Sequence, residues 1–196
     1  MEKLAAKRTR DGAATRARIE QEALKLFAQK GVDGATIRDL SLAVGVADAA
    51  LYRYYASKEE IAADIFTRHY GALARAIHAI GVQALPFRDT VGQLVDLFCG
   101  LFDDSPDVFA FILLSQHAHL RFVRPGENVV DELTAIMNHA YDAGEITITD
   151  FDLAAAMALG AVLQPAVFKL YGRLPGSMRS HAKALTDAAV KAAGGA

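Results

Sequence analysis

Apolar residues recur at three- and four-residue spacing along almost the whole chain, and that period belongs to helices. In the first such segment Ile19, Ala23, Leu26 and Phe27 share one face and Gly31 stops it, which predicts a helix from about Ala14 to Lys30. Thr36 opens a second, short helix. Thr36 and Asp39 form a capping-box-like pair, Ile37, Leu40 and Val44 face inward, and Gly45 breaks the chain. A third short helix covers about Ala47 to Tyr55. Ser57 and Glu60 make the S-x-x-E capping box of a long fourth helix that runs to about Ile80. Pro86 opens a fifth, to Asp103, and Ser105-Pro106 a sixth, to about Phe122. Three more follow: Asn128–Ala143, Phe151–Tyr171 capped by Asp150 and carrying Pro165, and Met178–Ala193. The one β-like run, Ile146–Thr149, is isolated between Gly144 and Asp150 and reads as a loop. The expected class is all-α, with about nine helices.

The chain has 196 residues, 53% hydrophobic and 22% charged, enough for one or two small packed domains. Its single cysteine, Cys99, has no internal disulfide partner, which fits a reducing, cytoplasmic setting. The charged N-terminus lacks the apolar centre of a signal peptide. No uninterrupted apolar run reaches the roughly 20 residues of a membrane span; the longest, Leu153–Leu163, is short and alanine-rich. No membrane partner is expected. Charge is uneven. Residues 1–58 hold 11 Lys+Arg against 7 Asp+Glu, and the remainder 10 against 16. The densest cationic stretch is "KRTRDGAATRAR", so residues 1–13 read as a basic flexible arm suited to a polyanion, or as a solvated tail.

Two short helices joined through "VGV" have the shape of a helix-turn-helix, whose second helix enters the DNA major groove. On that reading Leu51 and Tyr55 join Phe27 and Leu40 in a small core. Asp48, Ala49, Tyr52 and Arg53 form the outer face, with Ala47 and Tyr54 beside them. The small side chains at Ala47, Ala49 and Ala50 allow close approach to base edges. Arg53 can donate two hydrogen bonds to guanine. The hydroxyls of Tyr52, Tyr54 and Thr36 and the ammonium of Lys58 suit phosphates. Spacing alone leaves an alternative of equal weight: tyrosines at helical spacing also serve as packing residues.

The stretch "ATIRDLSLAVGVADAALYRYYASKEEI" resembles the DNA-binding segment of the TetR/AcrR family of bacterial transcriptional regulators. The likeness extends upstream through "TRARIEQEALKLFAQKGVDG", with the Phe27 and Gly31 helix end, Thr36-Ile37, Ala43, the Gly45-Val46 turn, Leu51-Tyr52, Tyr55 and Ser57-Lys58-Glu59 as its marks. It implies a DNA-binding set of Thr36, Arg38, Ala47, Asp48, Ala49, Tyr52, Arg53, Tyr54 and Lys58, with Thr36, Tyr52 and Lys58 on phosphates. Ala47 stands where the family commonly has serine or threonine, and Ala49 where it has glycine. Asp48 is therefore expected to cap the third helix; a bond from a cytosine amino group is the other role open to it. The resemblance further implies a helix-turn-helix domain over residues 14–58 and a ligand-binding and dimerisation domain over 59–196. The implied protein is a homodimeric repressor on a palindromic double-stranded operator, released by a small apolar or amphipathic effector and needing no cofactor.

For the second domain, Phe98, Phe102, Phe109, Leu114, His117, Met137, Tyr141 and Gln164 are the expected ligand-binding residues, with His139 a further polar anchor. A packed core would use the same apolar residues. His117 and His119 lie two apart on a helix and point different ways, so no metal is expected. Cys99 sits in apolar "LFCGLF", no glycine-rich phosphate loop or H-E-x-x-H is present, and no catalytic residues are assigned. The last two helices are expected to form the dimer through Ala154, Ala158 and Ala161, with Met157, Leu170, Leu185 and Val190 adding apolar area. A helical protein–protein adaptor presenting "ALYRYY" is the rival function.

Overall fold

The computed structural model describes residues 2–195, with side chains from Gly12 onward. Its described residues form nine α-helices, two 3-10 turns and no strand; Ile146 and Gly195 make one isolated bridge. Helix α1 spans Glu2–Gly34, beginning well ahead of the expected Ala14 and running through the stretch read as an arm. The side chains of residues 2–11 lie outside the described residues, and with them much of that cationic cluster. Gly31 interrupts α1 where expected: its φ of 72° and ψ of 165° suit a residue without Cβ.

Helix α2 is Ile37–Val44. Its capping box forms as the sequence predicts. The Asp39 amide donates to Thr36 Oγ1 at 3.0 Å, and the Thr36 amide donates to the Asp39 carboxylate at 3.0 Å. Gly45 ends the helix at φ 73°, and its amide bonds the carbonyls of Ser41 and Leu42. Helix α3 is only Asp48–Leu51; the chain then turns through Tyr52–Tyr54, so the expected helix to Tyr55 is cut by about half. Helix α4, Lys58–Gly81, starts with Ser57 Oγ accepting from the Glu60 amide at 3.2 Å. The Glu60 carboxylate reaches back to the Ala56 amide at 2.6 Å, one residue beyond the usual capping-box target.

Next come α5 (Phe87–Asp104), α6 (Pro106–His119), a 3-10 turn (Leu120–Phe122) and α7 (Val129–Asp142). Helix α8 (Phe151–Leu170) and, after a 3-10 turn at Arg179–His181, α9 (Ala182–Ala192) complete the order. Asn128 and Asp150 cap α7 and α8 through the amides of Val130 and Leu153, each at 3.0 Å. Pro165 lies inside α8 without ending it. As a whole helix α8 has the length and apolarity of a membrane span, beyond what the run Leu153–Leu163 implied.

Two compact units form. One holds the chain up to His69 together with Asp107–Phe122; the other holds Tyr70–Pro106 and the chain from Val123 on. The division differs from the expected boundary at residue 58. The front of α4 and nearly all of α6 belong with the helix-turn-helix, and the reason is aromatic packing. Phe111 of α6 is fully buried, stacks on Phe27 of α1 at 5.9 Å and meets Phe66 of α4 edge-on at 6.5 Å. His119 stacks on Phe66 at 5.3 Å, and its Nδ1 donates to the Ser115 carbonyl at 2.9 Å.

The second unit packs α5, α7, α8 and α9 around Val91, Leu94, Val95, Phe98, Leu133, Met137, Ala155, Val162 and Ala189. Ala154 and Ala158 are buried within it, as are Leu185 and Val190. The small-residue face expected to meet a partner therefore packs on the chain's own helices. What α8 leaves outside is a different stripe: Leu153 (50% exposed), Ala156, Met157, Gly160, Gln164 and Phe168 (47% exposed). The spacing is that of one helical face.

Candidate nucleic-acid interface

The reading head is built inside the first unit. Leu51 and Tyr55 are buried, as expected, with Phe27 and Leu40. That burial turns the other side of α3 outward. Ala47, Asp48, Ala49, Tyr52 and Arg53 are all exposed, Tyr52 by 56%, and Tyr54 is half-buried. Thr36 and Arg38 are exposed at the start of α2. Leu42 shares the outer stripe of α2 with Arg38 and is also exposed, a position that the sequence marks only as ordinary helix. Seven of the nine expected DNA-binding residues are thus exposed, and Tyr54 and Lys58 are half-buried.

The hydrogen bonds correct the expected role of Asp48 and give Lys58 partners that the sequence does not announce. Asp48 does not cap α3. The capping position is Ala47, which offers no side-chain acceptor, and Asp48 instead takes a bond from the buried Ser41 hydroxyl. That bond ties the start of α3 to α2 across the Gly45 turn. The Lys58 ammonium is engaged within the head. Its Nζ donates to the carbonyls of Val32 at 2.8 Å, Ala35 at 2.8 Å and Asp33 at 3.2 Å. An ammonium has three hydrogens, and all three are occupied. The cation satisfies the carbonyls left over where α1 ends after Gly31. The carbonyl cluster is formed by a turn some 25 positions away in sequence, so no local pattern around Lys58 announces it.

Tyr55 also carries a polar role that an apolar-core reading omits. Its hydroxyl lies 2.5 Å from Glu20, 3.0 Å from Arg16 Nε and 3.1 Å from Asp64. Arg16 pairs with Asp64 at 2.9 Å and Arg68 with Glu20 at 2.6 Å. Burial, then the bond to Glu20, pushes the Tyr55 phenol above its ordinary range. Burial opposes ionisation of Glu20, but bonds from Arg68 and Tyr55 outweigh it and hold the carboxyl low.

The expected ligand-binding residues are divided between the two units. Phe98 and Met137 line one void in the second unit, with Val91, Leu133 and Val162, but its volume is about 30 Å³. That is room for a water molecule or two, far below the roughly 300–1,000 Å³ of ligand pockets. Phe102 is buried in the same unit. Tyr141 and Gln164 are exposed on it, and so is His139. Phe109, Leu114 and His117 fall in the first unit. There Leu114, 68% exposed, lines a groove of about 670 Å³ with Val32, Glu59, Ala63, Ala118 and Phe122, while His117 is exposed. Successive apolar stretches suggest one pocket, whereas α6 groups with the first unit.

Residues 19–65, the whole of the helix-turn-helix with the front of α4, match the model of bacterial regulatory proteins of the tetR family. Residues 19–65 thus carry a tetR-family segment. A curated relative of this TetR-family head is the biofilm operon icaADBC HTH-type negative transcriptional regulator IcaR of Staphylococcus epidermidis. It is 46% identical over 44 residues, 22% of this chain, and the chain spans 24% of its length. Solved structures carry the likeness through both units as a shared fold. The TetR-family regulator PfmR of Thermus thermophilus aligns over 89% of this chain and 97% of its own at 24% identity and a TM-score of 0.73. The fatty acid degradation regulator FadR of Bacillus halodurans aligns over 90% and 94% at 16% identity and 0.76. FadR of Bacillus subtilis, solved with stearoyl-CoA, aligns over 90% and 98% at 16% identity and 0.71.

Proposed function

We propose that this TetR-family chain is a sequence-specific DNA-binding repressor that acts as a homodimer and is released by an apolar or amphipathic small molecule. The observation that carries the reading is the exposed face Ala47, Asp48, Ala49, Tyr52 and Arg53 on a head whose opposite side is buried. Three small or short side chains let backbone come near base edges, and Arg53 supplies the bidentate donor for guanine. Arg38, Thr36, Tyr52 and Tyr54 act on flanking phosphates. Lys58 acts on the head's geometry instead.

The α8 stripe from Leu153 to Phe168 supports dimerisation. An apolar face of this length on a helix otherwise packed in a core needs cover, and a second copy covers it through a two-fold axis. Two heads then demand an inverted repeat. The negative regulator IcaR supports repression, and stearoyl-CoA on FadR supports a long apolar effector. The void lined by Phe98 and Met137 is about 30 Å³, so an effector that enters there must open that core. It therefore selects a conformation other than this one, which is what a releasing ligand has to do. The test is equilibrium binding to duplex DNA across a salt series. The reading predicts an affinity that falls linearly on a log–log plot with a slope of several units. Salt-insensitive binding, or none at low salt, would remove it.

A further inference from the structure

Tyr55 is held by more than its ring. The phenol has one hydrogen, and the 2.5 Å approach assigns it to Glu20; the oxygen then accepts from Arg16 Nε at 3.0 Å. The Arg16 guanidinium also lies over the Tyr55 ring at 4.9 Å and reaches Asp64 at 2.9 Å. Arg68 closes the cluster on Glu20 at 2.6 Å. One hydroxyl is thus fixed by two residues of α1 and by Asp64 of α4 at 3.1 Å, with Arg68 of α4 acting through Glu20. Most of these charges are partly exposed, so the ion pairs themselves add little stability. Tyr55 and Glu20 are the shielded members, and the Tyr55 hydroxyl is the point where the cluster meets the reading turn. Tyr55 directly follows Tyr52–Tyr54, and the amides of both Tyr54 and Tyr55 donate to the Leu51 carbonyl, at 2.9 and 3.1 Å. Any rotation at Tyr55 is therefore passed to Arg53.

We propose that the Tyr55 hydroxyl is a positioning group for DNA readout: held by Glu20 and Arg16, it sets the angle at which the Tyr52–Tyr54 turn presents Arg53. This rests on the DNA-binding reading above. A misplaced reading turn loses base contacts while non-specific binding, which follows net charge, persists.

The test compares Tyr55→Phe with wild type on the protein's own selected site and on unrelated duplex, well below the melting temperature of either. The expected result is about a tenfold loss on the selected site with unrelated duplex unchanged. Glu20→Gln keeps an acceptor for the phenol and should retain most of the affinity. Glu20→Leu should match Tyr55→Phe, and the double variant should lose no more, as coupled partners do. Wild-type affinity in Tyr55→Phe, or equal losses on both DNAs, would overturn the proposal. Amide exchange gives an arm independent of DNA: the Tyr54 and Tyr55 amides should exchange faster in Tyr55→Phe while α2 and α4 keep wild-type protection. If wild type selects no site, the functional reading fails, and unchanged exchange at those two amides would still overturn the positioning role separately.

Discussion

The two units solve the same packing problem with different materials. The first is held by a few specific directional ties: Ser41 to Asp48, Lys58 to three carbonyls, Tyr55 to Glu20 and Arg16, and the stack of Phe111 on Phe27. The second has an apolar core of alanine, valine, leucine and phenylalanine with a void of about 30 Å³, and its directional ties, such as the Phe87 amide to Glu145, the Met178 amide to Asp103 and Thr134 to Asp152, join the ends and rims of its helices. A reading surface must keep side chains at fixed angles to DNA, and directional bonds do that. On the proposed function the second unit admits an effector, and apolar packing at a core's centre yields at lower cost than directional bonds do.

The largest expected effect falls on the first unit. Phe111→Ala removes a fully buried ring and should cost that unit about 3–5 kcal/mol, read as lost amide protection in α2 and the front of α4. Equal loss of protection in α5 and α9 would erase the contrast between the units. Met157→Asp places a charge in the α8 stripe and should weaken self-association by on the order of 3 kcal/mol, measured by sedimentation at several concentrations. An unchanged dimer would assign that stripe another partner. Lys58→Met leaves three carbonyls without their donor and should destabilise the head by about 2 kcal/mol in denaturant unfolding, with the salt slope of DNA binding unchanged. A slope lowered by about one would return Lys58 to the phosphates. Arg53→Ala should cost about 1.5 kcal/mol on the preferred site and relax preference at one base pair of each half-site. A uniform loss across sequences would make Arg53 a phosphate contact. Acid gives the smallest effect. The folded pKa of Glu20 lies below its unfolded value of about 4.5, so its contribution is complete above that pH and is lost as pH falls through the folded value. Glu20→Gln should flatten that acid limb of the first unit's melting curve.

The head is legible because its signals are local. Thr36 with Asp39, the glycines at 31 and 45, and the inward set Phe27, Leu40, Leu51 and Tyr55 are each fixed by spacing, and the structure agrees with all of them. The failures are contacts that no local pattern announces. Lys58 meets carbonyls of the α1–α2 connection, Asp48 meets Ser41 across a turn, and Phe111 of α6 stacks on Phe27 of α1 with four helices between them in the chain. The outward stripe of α8 escapes the sequence for a related reason. Apolar residues surround the axis of that helix, so composition does not say which side is inside, and Ala154 turns inward while Met157 stays outside once α7 and α9 pack against it. The ligand set is divided because apolar content on consecutive helices suggests one cavity, whereas α6 groups with the head.

The central claim is that the α3 face of a dimer reads sequence. The direct measurement is to incubate the full chain with a pool of random duplexes, recover the bound fraction and sequence it. The account predicts enrichment of an inverted repeat whose half-site centres lie about one helical turn, or a multiple of it, apart. A folded protein that enriches no sequence at low salt would contradict it, and the exposed tyrosine and arginine of the turn would then belong to a protein-facing surface.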